Sequence, residues 1–105
     1  MTVLEVDQID GMGKSQDGRQ LLFLISDHLD WEQEGEHLLL LQEKINAYLS
    51  FIESGQYADH YPDERFHEFV IEIQFLHDPT EKCEEFLDVV GEQLQPFHIS
   101  IAVGE

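Results

Sequence analysis

The spacing of apolar residues over positions 25–55, ISDHLDWEQEGEHLLLLQEKINAYLSFIESG, predicts a strand end, a polar turn and one long helix. At about 100° per residue, Leu38, Leu41, Ile45, Tyr48, Leu49 and Ile52 fall in one arc, the main buried face. Leu40, Ala47 and Phe51 form a second arc beside it, with the stem of Lys44 among them. A helix this broadly apolar needs two neighbours: a sheet is one, and a later helix or a second copy of the chain is the other. Asp30 with Gln33 fits a helix-start box, the acids at 32, 34 and 36 suit the positive end of the helix dipole, and Gly55 suits a left-handed stop.

The remaining pattern is shorter in period. Residues 3–14 alternate loosely and carry two glycines, as an edge or bulged strand does. Ser15-Gln16-Asp17-Gly18 is a turn signal, and RQLLFLIS (19–26) is apolar on both sides, as a strand interior to its sheet is, so the two strands form a hairpin. Residues 56–65 read as a short helical turn and then a loop. Phe69, Ile71, Ile73 and Phe75 alternate with polar positions over residues 66–77, a half-buried strand. Asp78, with Pro79 at the first helical position, opens a second helix that buries Cys83, Phe86, Leu87, Val90 and Leu94, and within which Gly91 permits close approach of a neighbour. Pro96 ends it, and Phe97, Ile99, Ile101 and Val103 alternate along a last strand. The fold class is therefore α+β in the order ββαβαβ: a two-layer, four-stranded sheet with both helices on one face. If the crossovers are right-handed, strands two, three and four run parallel with the first antiparallel at an edge; the ten-residue loop after the long helix leaves the reverse direction open.

Composition narrows the function classes. The 105 residues are expected to form one domain, 1–105, that buries roughly 65% of the surface of its unfolded chain. A single cysteine, Cys83, excludes an internal disulfide and leaves a Cys-based zinc site without a second thiolate. Nothing at the N-terminus reads as a signal peptide, and no apolar run approaches the ~20 residues of a membrane span, so a cytoplasmic protein is expected. With 23 acidic against 5 basic residues the formal net charge is −18. That field repels phosphate backbones and anionic lipid, so the expected partner is a protein, a basic one or a second copy in a homodimer, with no nucleic acid and no membrane.

In ISDHLDW, EHLLLLQEKINAYLSFIESG and FVIEIQF the chain resembles a family of small bacterial proteins classed as a domain of unknown function. The likeness spans most of the chain and implies a single-domain protein. It brings no activity, cofactor or site residue with it.

Candidate chemistry centres on the turn after the second strand. Ser26, Asp27, His28 and Asp30 hold the residue types of a Ser-His-Asp site, but neighbours on an extended chain point to opposite sides, and no nucleophile elbow surrounds the serine. The competing reading is a strand-to-helix turn whose Ser and Asp bind backbone amides. Asp27, His28 and Asp30, joined by Asp59, His60, Asp63 and Glu64, are weak metal candidates without a recurrent ligand spacing, and His37 has no histidine one helical turn away. No cofactor is expected. Glu81, Glu84, Glu85, Asp88 and Glu92 form an acidic stripe on the second helix. It is either a plain solvated face or the binding surface of an acidic inhibitor, immunity-type protein or nucleic-acid mimic. The first expectation is a non-enzymatic protein-interaction or assembly domain. The acidic inhibitor is the second, and an enzyme or metal protein built on Asp27, His28 and Asp30 is the third.

Overall fold

A computed structural model describes residues 9–104. Strand β1 (Gly11–Lys14) and strand β2 (Gln20–Asp27) are followed by helix α1 (Glu34–Glu53), strand β3 (Glu68–Phe75), helix α2 (Glu81–Leu94) and strand β4 (Ile99–Gly104). Short 3-10 turns occupy Gln56–Asp59 and Gln95–Phe97. The early part of the first predicted strand lies outside the described residues; β1 is its described end.

The order ββαβαβ is the one expected, and the four strands lie side by side in chain order. β1 runs antiparallel to β2, whereas β2, β3 and β4 are parallel. The hairpin closes where the Gly18 N–H donates to the Ser15 carbonyl at 3.0 Å, with Gly18 at φ 73°, a value that glycine adopts without strain. Asp17 tightens the turn by accepting from the Ser15 hydroxyl and the Arg19 N–H.

Register decides which face is packed. Leu21, Phe69 and Ile99 lie abreast, as do Phe23, Ile71 and Ile101, and then Ile25, Ile73 and Val103. This face meets Leu41, Ile45, Tyr48 and Ile52 of α1 and Cys83, Leu87 and Leu94 of α2 in one core. Each fully buried aliphatic side chain contributes about 1.5–3 kcal/mol. Leu22, Leu24, Val70 and Ala102 point the other way and belong to no part of that core. Both helices therefore cover one face of the sheet and leave the other bare.

The broad apolar girth of α1 is met by more than the sheet. Ile45, Asn46 and Leu49 border a groove against Phe86 and Val90 of α2. On its other flank Phe51 meets Phe23 edge-on at 6.0 Å and lies 6.5 Å from His60, while Phe66 meets Tyr57 and Tyr61, and Tyr57 also meets Phe69. The chain after the helix thus folds back on Phe51, at one end of its second arc, whereas Leu40, at the other end, borders an open groove with Leu29 and Gln33.

Several local expectations are corrected. α1 begins at Glu34, because Asp30 caps a preceding turn through the Glu32 N–H and Gln33 supplies no side-chain cap. The cap of α2 is Thr80, whose hydroxyl accepts the Cys83 N–H, not Asp78. Phe97 is not in a strand: the 3-10 turn around Pro96 and a left-handed His98 delay β4 to Ile99 and leave Phe97 66% exposed. Gly91 faces open space, so close packing does not explain it. Gly55, at φ 76°, is the expected left-handed stop.

Candidate functional site

The turn from β2 into α1 divides its candidate residues. Asp27 ends β2 on the packed face and is buried, whereas His28 and Asp30 are exposed. The three side chains do not converge. Asp59, His60 and Asp63 are exposed near the far end of α1, and Glu64 pairs with Lys14. His37 and Phe51, the neighbour of His60, are 14 positions apart along α1, which places the two ends about 20 Å from each other. Among the described residues no group of three or more His, Cys, Asp or Glu side chains is arranged to hold a metal.

Asp27 has a partner that local spacing does not reveal. His37, in the first turns of α1 and buried, sets its Nε2 2.5 Å from Asp27 Oδ2, while Asp27 Oδ1 accepts the Leu29 N–H. His37 Nδ1 donates to the Asp30 carbonyl at 2.9 Å, because a carbonyl oxygen can only accept. One proton therefore lies between the carboxylate and the ring, and neither imidazole nitrogen is left to take a proton from a substrate. Trp31 stacks on the ring at 3.7 Å between centroids and donates its indole N–H to the His77 carbonyl. Strand end, turn and helix start are fastened together by this cluster.

A second buried cluster ties Asp10, just before β1, to β2 and the middle of α1. Lys44 is 0% exposed and donates to Asp10 Oδ1 at 2.9 Å. Asp10 Oδ2 accepts the Ser26 N–H, and the Asp10 N–H donates to the Tyr48 hydroxyl, which in turn donates to the Leu24 carbonyl. Burial raises the Tyr48 phenol well above its ordinary value, so it stays a neutral donor. Only the Lys44 stem was expected in the apolar arc; its ammonium is buried as well, with an anion waiting for it.

Cys83 completes the inventory of reactive groups. Its thiol is buried, and desolvation followed by the charges of Asp27, Glu84 and Glu34 pushes it up to about 12. That is the opposite of an activated nucleophile. The stripe residues Glu81, Glu84, Glu85, Asp88 and Glu92 are all exposed on α2, so the stripe exists as a surface.

The bare sheet face carries the remaining feature. A shallow cavity of about 290 Å³ opens there between Gly11, Gly13, Leu22, Leu24, Val70 and Glu72. Leu22 is 36% exposed at its centre. A Cβ at Gly11 would come within 3.3 Å of Leu24 Cβ, so the glycines of β1 keep this edge low.

A family model described as a family of unknown function (DUF6572) matches residues 1–105. The chain belongs to that family. No curated protein and no solved structure matches it. For this member of the family the chemistry of the site rests on its own geometry: two buried ionic clusters that brace α1, an unreactive thiol, and an open apolar face behind them. Among the described residues no helix is long and apolar enough to cross a membrane.

Proposed function

We propose that this family member is a non-enzymatic protein-interaction domain that self-associates through the bare face of its sheet. The observation that carries the reading is that, among the described residues, three parallel strands are covered on one side only. Parallel sheets are almost always covered on both. Of the side chains that β2, β3 and β4 turn outward, only Glu68 and Glu72 are charged, and each accepts a side-chain amide, from Gln20 and Gln74. In a chain of net charge −18 such a face stands apart from the rest of the surface.

Face-to-face pairing suits the charge distribution. Two sheets stack about 10 Å apart, and each helix layer lies roughly another 10 Å outward, so the acidic faces of the helices end on opposite sides, about 30 Å apart. That exceeds the ~8 Å screening length at physiological salt several times over. Four strands about 4.8 Å apart and roughly 20 Å long make a face on the order of 400 Å² per copy, half of the roughly 800 Å² that a tight complex uses, so the dimer is weak and dilutes apart. The lack of catalysis is supported by the engagement of both His37 nitrogens and by the raised Cys83 thiol. Sedimentation equilibrium over a dilution series is expected to return a monomer–dimer equilibrium; monomer alone throughout the series would overturn the self-association.

A further inference from the structure

The outer edge of β4 is a second, separate surface. Its phase is set where the Phe69 N–H donates to the His98 carbonyl at 2.9 Å. In a parallel ladder alternate residues bond the neighbouring strand, so Ser100 and Ala102 serve β3, and the N–H and C=O groups of Ile99, Ile101 and Val103 point outward. The strand reads ISIAVG, with no charge and no proline, and its pairing to β3 is continuous from Phe69↔Ile99 to Gln74↔Gly104, without a bulge. Natural sheets normally blunt such an edge with those devices, since an open one recruits another strand. Among the described residues the opposite edge is β1, where two glycines and Lys14 blunt it.

The surroundings select what pairs there. Helix α2 packs most closely on β4 and carries five exposed carboxylates against one lysine, Lys82. At the C-terminal end of the edge a cleft of about 520 Å³ is lined by Phe75, Asp78, Pro79, Glu84, Val103 and Gly104. It contains two carboxylates and no cation. A second copy joined along β4 would bring its own acidic α2 alongside the first, and like charges oppose that. A basic strand meets the opposite field. We infer that the β4 edge docks an extended basic segment of a partner protein as a fifth strand of the sheet. Its apolar side chains lie beside Ile99 and Ile101, and a lysine or arginine enters the cleft between Asp78 and Glu84. Main-chain hydrogen bonds supply the affinity of such an added strand and the side-chain cleft its selectivity.

The test uses the full chain and a short fluorescein-labelled peptide, read by anisotropy, in which one strand face reads lysine, valine, valine, lysine at alternate positions with threonine between them, so that valines and a lysine share the face of Ile99, Ile101 and Val103. The peptide is expected to bind and to weaken as salt is raised, and the same peptide with glutamate in place of each lysine is expected not to bind. Val103→Pro removes one outward N–H, leaves the bonds to β3 intact and alters a half-exposed side chain, so the fold should persist by circular dichroism. Binding to this variant should fall at least about tenfold, and Glu84→Lys should weaken binding and flatten its salt dependence. Equal binding to wild type and Val103→Pro would mean mere charge attraction and overturn the inference. So would equal binding of the two peptides, or a dimer that Val103→Pro dissolves, which would put a second copy on the edge. Substitution of Leu22 tests the sheet face and leaves this result untouched.

Discussion

The two faces of one sheet have opposite designs. The packed face carries Leu21, Phe23, Ile25, Ile71, Ile73 and Ile99 with nearly no exposure, yet two ionic clusters are set into its margins. The bare face carries smaller apolar groups and almost no charge, although it meets solvent. Charge is thus buried in pairs where the layers must be held in one arrangement and limited to Glu68 and Glu72 where the sheet is open. Paired buried charges add little net stability, but each becomes costly once its partner is removed. The contrast points to the packed face as the source of fold uniqueness and the bare face as the place where contact is made.

Breaking a buried pair is the most damaging change expected. Lys44→Met strands the Asp10 carboxylate, and His37→Ala strands that of Asp27; each should cost about 3–5 kcal/mol in urea denaturation. The double change of Asp10→Asn with Lys44→Met should recover part of that loss, whereas additive losses would show that the pair is not coupled. Next comes truncation of neighbours on opposite faces. Ile71→Ala should cost about 2–5 kcal/mol, whereas Val70→Ala, one residue away, should cost the monomer less than about 1 kcal/mol.

Cys83 supplies a pH test of the packed face. Its folded value is raised from 9.0 to about 12, so the folded chain holds that proton when the unfolded chain has released it. The contribution is complete below about pH 9 and is lost as pH rises toward 12. Stability of the wild type should therefore fall faster than that of Cys83→Ala over this window, and iodoacetamide should label Cys83 only after unfolding. Equal slopes and rapid native labelling would place the thiol in solvent. The smallest effect is a gain: Gly91→Ala meets open space in a helix and should stabilise by about 1 kcal/mol.

Periodicity made the layers legible. Alternation along β3 and β4 and the helical arcs over residues 38–52 specify the order ββαβαβ and a sheet covered by both helices, since each reflects a repeat of 2 or 3.6 residues; the parallel direction rests on crossover handedness, not on period. Helix starts were less legible: Asp30 and Asp78 are as good as caps by type as Thr80, and only the path of the turn selects among them. The missed partner of Asp27 was His37, because a pair joining a strand end to a helix leaves no local spacing. A histidine and a lysine placed on the apolar side of α1, at His37 and Lys44, were the available signal; each implied a buried anion to match. Among the candidate site residues, the acidic stripe on α2 was readable because one helical face repeats simply, whereas the divergence of Asp27, His28 and Asp30 depended on a turn whose course the sequence leaves open.

The contrast between faces is tested most directly by placing the same charge on each side and weighing the particle. Leu22→Glu alters the bare face, and Leu39→Glu alters a 56% exposed position on α1. By sedimentation equilibrium at equal concentration, Leu22→Glu should be monomeric and Leu39→Glu should keep the wild-type monomer–dimer equilibrium. A Leu22→Glu variant that still dimerises, while Leu39→Glu does not, would contradict the assignment of contact to the sheet.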